Sequence, residues 1–413
     1  MNFIKMPMKG MRDILPNDME LREYVRGIIK ETYSQFGYRQ IDTPCIEHIE
    51  NLTSNQGGEN EQLIFKILKR GEKLNINNIH SENDLVDGGL RYDLTVPLAR
   101  YYANNIDNLP YPFKAFQIGN VWRADRPQRG RFRQFIQCDI DILGESSNLA
   151  ETDLIVATTS LLKRLNFKDF KVRINDRRIL KGIALYSGFT LNDLNQVFIS
   201  LDKMDKIGRE GVFLELKENG YNEDYIEKYL DIFKGNNMKK PSEYLGDMFT
   251  DYIDNDVIDN LDTIIDSVKN IIDCDIVFDP TLVRGMGYYT GPIFEIEIEG
   301  FPGSIAGGGR YDEMVGKYTN MLVSACGFSI GFERLITILL ESNFKLPDES
   351  QKVAVLLDRE LSQEKVLKTF KSAQQLRREG KCVLITYKNK NAKYQREQLL
   401  SEGYTNIQEI KTD

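Results

Sequence analysis

The sequence predicts a multidomain α+β protein, on three observations. Residues 134–143, "QFIQCDIDIL", alternate polar and apolar side chains with the period of two that marks a strand. Between about residues 175 and 260 the apolar residues recur at helical spacing instead. Residues 352–413 then alternate strand-like and helix-like segments, the pattern of a small α/β unit.

The elements follow in chain order. "LREYVRGIIKETYSQFGY" reads as a helix stopped by Gly37, and "RQIDTPCIE" as a short strand broken at Pro44. Residues 113–125 and 131–143 read as two strands joined by a charged loop holding Pro127 and Gly130. "NDRRILKGIALYSGF", "LNDLNQVFISLDKMDKIG" and "VFLELKENGYNEDYIEKYLDIF" read as short amphipathic helices, and a further helical spacing runs through Val257, Ile258, Leu261, Ile264, Ile265, Val268 and Ile272. Strands return with "FDPTLVRGMGYYTGPIFEIEIEG", and "CGFSIGFERLITILLESN" reads as a strand running into a helix. "FKLPDESQ" is a polar linker. The tail gives strand "VAVLL", helix "SQEKVLKTFKSAQQLRREG", strand "CVLITY", helix "NAKYQREQLLSEG" and a short "NIQEI".

Bulk properties exclude several classes. With 413 residues, 41% hydrophobic and 28% charged, the chain has the balance of a soluble protein with two or three domains. No apolar run reaches the roughly 18 residues that span a bilayer. Five scattered cysteines (Cys45, Cys138, Cys274, Cys326, Cys382) show no paired spacing, which suits a reducing cytoplasm. With His48 and His80 as the two histidines, HExxH zinc chemistry is excluded. Net charge is −8, yet residues 352–413 hold 13 Lys+Arg against 8 Asp+Glu, so an acidic body carries a basic tail.

Four segments carry candidate chemistry. The first is "GGLRYDLTVPLARY", where Asp93 and Thr95 share a face; alone it reads as a capped turn before a helix. The second is residues 123–144, whose polar row holds Arg131, Arg133, Phe135, Gln137, Asp139 and Asp141. Such a row is either the solvated face of a sheet or the floor of a site for a charged ligand. The third, "LVRGMGYYTGPIFE", sets Arg284 among glycines ahead of Tyr288 and Tyr289. The fourth is "AGGGRYD", with Arg334 following in "GFERL"; the glycine run lacks the P-loop pattern and reads as a bulge or tight turn. Arg123, Arg284 and Arg334 supply the guanidinium forks that a polyphosphate needs. Sequence order alone leaves open whether they converge.

In order along the chain, "MKGMRDILP", "GYRQIDTPCIE", "LRYDLTVPLARY", "VWRADRPQRGRFRQFIQCDIDILG", "LVRGMGYYTGPIFE", "AGGGRYD" and "GFSIGFERL" resemble the signature segments of the histidyl-tRNA synthetases, a class II family. The resemblance covers about residues 6–345. It implies an antiparallel six-stranded catalytic sheet flanked by helices, and a homodimer formed through "RQIDTP". The catalytic domain would comprise residues 1–174 and 263–345, with a helical insertion domain at 175–262. A shortened anticodon-binding-like α/β domain would occupy 352–413.

The resemblance also implies roles. Arg123 would bind the ATP α-phosphate and the substrate carboxylate, with Arg284 beside that phosphate and Arg334 over adenine and the γ-phosphate. Arg131 and Phe135 would complete the ATP site, Phe135 by stacking on adenine. Asp93 and Thr95 would hold the α-amino group of L-histidine, Gln137 would contact the amino acid, and Asp141 would accept from the imidazole. Tyr288, Tyr289 and Tyr311 would line the histidine pocket. ATP with Mg²⁺, L-histidine and tRNA(His) are the implied reactants, in the cytoplasm and away from membranes.

Two features depart from the family pattern. Gly287 stands where many members carry Asp, and the tail stops after fewer elements than the family's anticodon domain. Two relatives in function therefore compete: the histidine-sensing regulatory subunit of ATP phosphoribosyltransferase, and a histidine-activating paralog that does not charge tRNA.

Overall fold

The structure, a computed structural model, describes residues 3–53, 61–74, 79–234, 240–283, 287–347 and 351–412. It divides into two compact units, Met1–Asp13 with Arg22–Ser342, and Ile14–Leu21 with Asn343–Asp413.

The larger unit contains strands β1 (Arg39–Gln40), β2 (Ile46–His48), β3 (Lys66–Leu68), β4 (Val86–Leu90), β5 (Phe113–Trp122), β6 (Gln134–Leu143), β7 (Phe170–Asp176), β8 (Asp275–Phe278), β9 (Pro292–Ile298), β10 (Ala306–Arg310) and β11 (Ala325–Gly331). Strands β2, β4 and β3 form a small antiparallel sheet. The others form one sheet in the order β1-β5-β6-β11-β10-β9-β7-β8.

This corrects the expected six-stranded antiparallel sheet: the sheet is mixed and has eight strands. Its six inner strands pair antiparallel throughout. Strand β1 adds parallel to β5 on one edge and β8 parallel to β7 on the other. Two residues are too few to show a period in the sequence, so β1 could not be read there. Strand β8 is reached from β7 through the long helical segment, and a crossover of that kind brings a strand back parallel.

Strands β5 and β6 are the longest, paired from Phe113↔Leu143 to Trp122↔Gln134. In β6 the apolar face (Cys138, Ile140, Ile142) is buried in the core, and the polar face is buried as well: Gln137, Asp139 and Asp141 are at most 7% exposed. That removes the solvated-face reading for these three, while Arg131 is exposed and Arg133 and Phe135 are half-buried. The glycine run "AGGG" is an extended central strand rather than a bulge or turn. A Cβ on Gly308 would lie 2.0 Å from the Gly327 carbonyl oxygen, so close backbone approach explains the glycine.

The helix Pro16–Gln35 ends ahead of Gly37, which adopts a left-handed φ of 81°. It buries Val25, Ile29 and Tyr33 at intervals of four. The helix Asn255–Ile271 buries the predicted apolar stripe from Val257 through Val268, while Ile272, the last residue of that spacing, lies in extended backbone past the helix end and is half-buried.

In the smaller unit β12 (Lys352–Leu357), β13 (Cys382–Tyr387) and β14 (Asn406–Ile410) form a parallel sheet in the order β13-β12-β14. The central strand is buried on both faces: Val353, Val355 and Leu357 pack with Ala373, while Ala354 and Leu356 pack with Leu399. Ser362 caps the helix Gln363–Arg378, its side chain accepting from the Lys365 backbone N–H.

Candidate active site

The polar face of β6 forms part of the lining of a cavity of about 690 Å³ in the larger unit. Asp93, Thr95, Arg123, Arg131, Phe135, Gln137 and Asp141 line it. So do Tyr288, Tyr289, Tyr311 and Arg334, from the far end of the chain. Arg284 lies outside the described residues. The remaining candidates, separated by up to 241 positions, line one cavity; pairing β6 with β11 and β11 with β10 accounts for bringing Gln137 and Asp141 together with Tyr311 and Arg334.

Each candidate is positioned by its local structure. Asp93 precedes the helix Thr95–Asn105, and its Oδ1 accepts from the Val96 backbone N–H at 3.2 Å, so the capped-turn reading holds for one oxygen. The other, Oδ2, is buried without a hydrogen-bond partner among the described residues. Arg123 donates through Nε to the Tyr92 carbonyl at 2.9 Å, and its guanidinium carbon sits 5.2 Å from the centre of the Phe135 ring. Asp141 Oδ1 accepts from the Tyr311 hydroxyl at 2.6 Å. Tyr288 packs against Tyr289 and Tyr311, with ring centres 4.8 and 5.9 Å apart. Arg131 is exposed, and Arg334 enters from the first turn of the helix Phe332–Glu341.

Two features were missed in the sequence. Asp139 and Ser329 both line the cavity, Asp139 between Gln137 and Asp141 in the same row. The period-two row marked Asp139, but nothing local set its role apart from its neighbours'. The second is Glu333, buried beside Arg334. It accepts from both terminal nitrogens of Arg22 at 2.7 and 2.6 Å, and from Arg12 at 2.7 Å. Arg12 also stacks 4.1 Å from the Phe132 ring centre, and Gly10 accepts from the Arg133 N–H at 2.8 Å. The opening segment thus braces the loop that carries Arg131. Removing one partner of a buried ion pair strands the other charge, at about 3–5 kcal/mol.

Burial dominates the electrostatics. It pushes Asp93 up to about 6, against hydrogen bonding from Val96 and the charge of Arg123. It pushes Asp141 up to about 7, with Tyr311 pulling the other way and Asp93 adding to the rise. Asp139 is raised well above the carboxylate range by burial and by Asp141. Three crowded, desolvated carboxyls make the floor hungry for a cation.

This has a consequence for stability. In the unfolded chain these carboxyls titrate at about 3.9. Between about pH 4 and pH 7 the folded chain therefore holds protons that the unfolded chain has released. The stability they contribute is full below about pH 4 and is lost as pH rises through 6 and 7. Asp141→Asn, which keeps an acceptor for Tyr311, should flatten the fall in melting temperature between pH 5 and 7.5. A melting series with the parent slope would contradict the assignment.

The sequence profile described as "Histidyl-tRNA synthetase" matches residues 10–335. The chain belongs to the histidyl-tRNA synthetase family. It is 41% identical over 363 residues to the histidine–tRNA ligase of Leifsonia xyli subsp. xyli, covering 85% of this chain and 83% of that protein. It is 35% identical over 385 residues to the histidine–tRNA ligase of Porphyromonas gingivalis, covering 90% and 84%. Among solved structures it matches the histidyl-tRNA synthetase from Nostoc sp. PCC 7120 with a TM-score of 0.78 at 29% identity, over 98% of this chain and 90% of that one. A protein from Bacillus halodurans C, titled as an ATP phosphoribosyltransferase regulatory subunit/histidyl-tRNA synthetase, matches with the same TM-score at 20% identity, which speaks for the fold alone.

Family membership gives the cavity a test for magnesium. Among the described residues no three His, Cys, Asp or Glu side chains are grouped to hold a metal. Magnesium keeps most of its ligands as water and phosphate oxygens and needs one or two protein carboxylates. Glu295 on the cavity wall suits a Mg–ATP complex of that kind.

Proposed function

We propose that the chain activates L-histidine with ATP and transfers it to the 3′ end of tRNA(His). The single observation that carries the site assignment is the shared cavity: carboxylates, tyrosines and arginines from four distant segments line it. The activity follows from the histidine–tRNA ligases to which the chain is 35–41% identical.

The chemistry needs no protein nucleophile. The carboxylate of histidine attacks the α-phosphorus, the bond to the β-phosphate bridge breaks, and pyrophosphate leaves. The terminal ribose hydroxyl of the tRNA then attacks the adenylate carbonyl and expels AMP. What the protein supplies is position and charge. Arg123 and Arg284 neutralise the carboxylate and the α-phosphate, and Arg334 the γ-phosphate. Arg131 and Phe135 border the nucleotide. Asp93 and Thr95 take the ammonium group, and Asp141, held by Tyr311, takes an imidazole N–H. Tyr288 and Tyr289 wall the ring. Mg²⁺, entering with ATP, offsets phosphate charge. Pairing both ends of the amino acid makes the site selective, because a wrong amino acid leaves buried groups unpaired.

Histidine-dependent ATP–pyrophosphate exchange, followed by charging of tRNA(His), tests the reading. Exchange with charging is expected. Absence of exchange would indicate the regulatory-subunit alternative, and exchange without charging the paralog.

We also assign residues 175–262 to an insertion domain, residues 352–413 to a shortened anticodon-binding-like domain, and the active form to a cytoplasmic homodimer. No helix among the described residues is long and apolar enough to cross a membrane. Lys365, Lys368, Lys371 and Arg378 lie on the helix Gln363–Arg378, Lys365 half-buried and the other three exposed. Lys368→Glu with Lys371→Glu should weaken tRNA binding and flatten its salt dependence by about two contacts, leaving exchange intact. Unaltered tRNA affinity would leave that helix without an RNA role.

A further inference from the structure

We propose that Ser329 and Asp139 are positioning residues, which lock the Gln137 amide so that its carbonyl oxygen faces the cavity and accepts from the α-ammonium group of the bound amino acid. The inference rests on the histidine reading above and deepens it.

Ser329 and Asp139 lie directly opposite each other in the β11–β6 ladder. That register sets the Ser329 hydroxyl beside the Asp139 carboxyl, and Ser329 opposes the rise that burial gives this carboxyl. Ionised or not, Asp139 offers the hydroxyl an acceptor oxygen. A serine hydroxyl has one proton to give. Once that proton points at Asp139, Ser329 can only accept from Gln137, and the amide must present its NH₂. The structure has this arrangement, with Gln137 Nε2 donating to Ser329 Oγ at 2.7 Å. An amide is planar, so Oε1 is turned the other way. It is buried, and it has no hydrogen-bond partner among the described residues.

Gln137 Oε1 is not alone. Asp93 Oδ2 and Asp139 Oδ1 are also buried without partners among the described residues, and all three residues line the one cavity. Buried acceptors left unpaired are costly. Three unpaired acceptors on residues that line one cavity call for a ligand group with several N–H donors and positive charge. A primary ammonium has three such donors and no acceptor. Were the Gln137 amide flipped, its NH₂ would oppose that ammonium, and one acceptor would become a repelling donor.

The test compares two ligands that differ in the amino group alone, L-histidine and 3-(imidazol-4-yl)propionate, by calorimetric titration. Ser329→Ala frees the amide to flip. It should weaken histidine about tenfold or more, the scale of one hydrogen bond to a charged group, and leave the deamino ligand unchanged. Ser329→Thr, which restores the hydroxyl, should return histidine affinity to near the parent's. Should Ser329→Ala fail to fold, Ser329→Cys, of similar shape but a weak donor and acceptor, is read by the same titrations. Equal weakening of both ligands, or no weakening of either, overturns the proposal while the histidine reading stands. A parent protein that binds neither ligand overturns both.

Discussion

Arg123→Ala should slow histidine-dependent ATP–pyrophosphate exchange by on the order of 10²–10³ or more, the usual cost of removing one charge-stabilising donor. The side chain is already fixed without ligand: Nε is held by the Tyr92 carbonyl, and the guanidinium lies over Phe135. Anchoring through Nε leaves the two terminal nitrogens for a carboxylate and a phosphate, at no cost of ordering when substrate arrives. The arginine also opposes the rise in Asp93 and Asp139, so alanine leaves the floor less able to stay ionised. Both half-sites should therefore suffer, with KM for histidine rising as kcat falls. Arg123→Lys keeps the charge but loses the planar fork, and should recover about a tenth of the lost rate. Exchange near the parent level in the alanine variant would remove Arg123 from the mechanism.

How far the sequence disclosed this site depended on how local each signal was. The alternation in residues 134–143 announced strand β6 and its polar row, because a period of two needs only neighbours to be seen. It could not show that the polar row is buried, since what covers it comes from β11 and from residues about 150–200 positions later. The same limit applies to the sheet. Strand β1 is two residues long, and β8 owes its direction to a crossover, so neither the count of eight strands nor the mixed pairing had a local mark. The resemblance supplied the convergence that spacing could not, and it assigned roles to residues in signature segments. It gave none to Asp139 or Ser329, whose importance arises from a register: one pair in the β6–β11 ladder. Glu333 escaped notice for a related reason. A glutamate at a helix start reads as favourable to the helix dipole, whereas here it anchors Arg12 and Arg22, more than 300 positions away. The glycine run was misread because glycine argues locally for a turn, while in β10 it answers to a neighbouring backbone.

Gly327→Ala should raise KM for histidine on the order of 10²-fold and leave KM for ATP close to the parent value. Gly327 faces Asp141 across the β11–β6 ladder. A Cβ built there would lie 2.0 Å from Asp141 Oδ1 and 3.2 Å from Tyr311 Cε1. That oxygen is the one holding the Tyr311 hydroxyl. Asp141 is 3% exposed and Tyr311 2%, and both line the cavity, so the carboxylate yields by turning into the space that the amino acid would take. The methyl group must therefore expel the carboxylate from its hydrogen bond and from the position in which it meets the imidazole. Loss of packing adds a stability cost of about 1–3 kcal/mol, which melting experiments would register separately. Gly308→Ala is the contrasting case. Its Cβ would meet the Gly327 carbonyl oxygen at 2.0 Å, a backbone atom, so it should lower folded yield without a selective loss of histidine affinity. The decisive comparison is a double-mutant cycle. If Gly327→Ala acts by displacing Asp141, then once Asp141→Ala has removed the carboxylate, the added methyl should cost histidine binding little more. Additive losses in the cycle would show that the methyl acts elsewhere, and would separate the histidine pocket from the Asp141–Tyr311 pair.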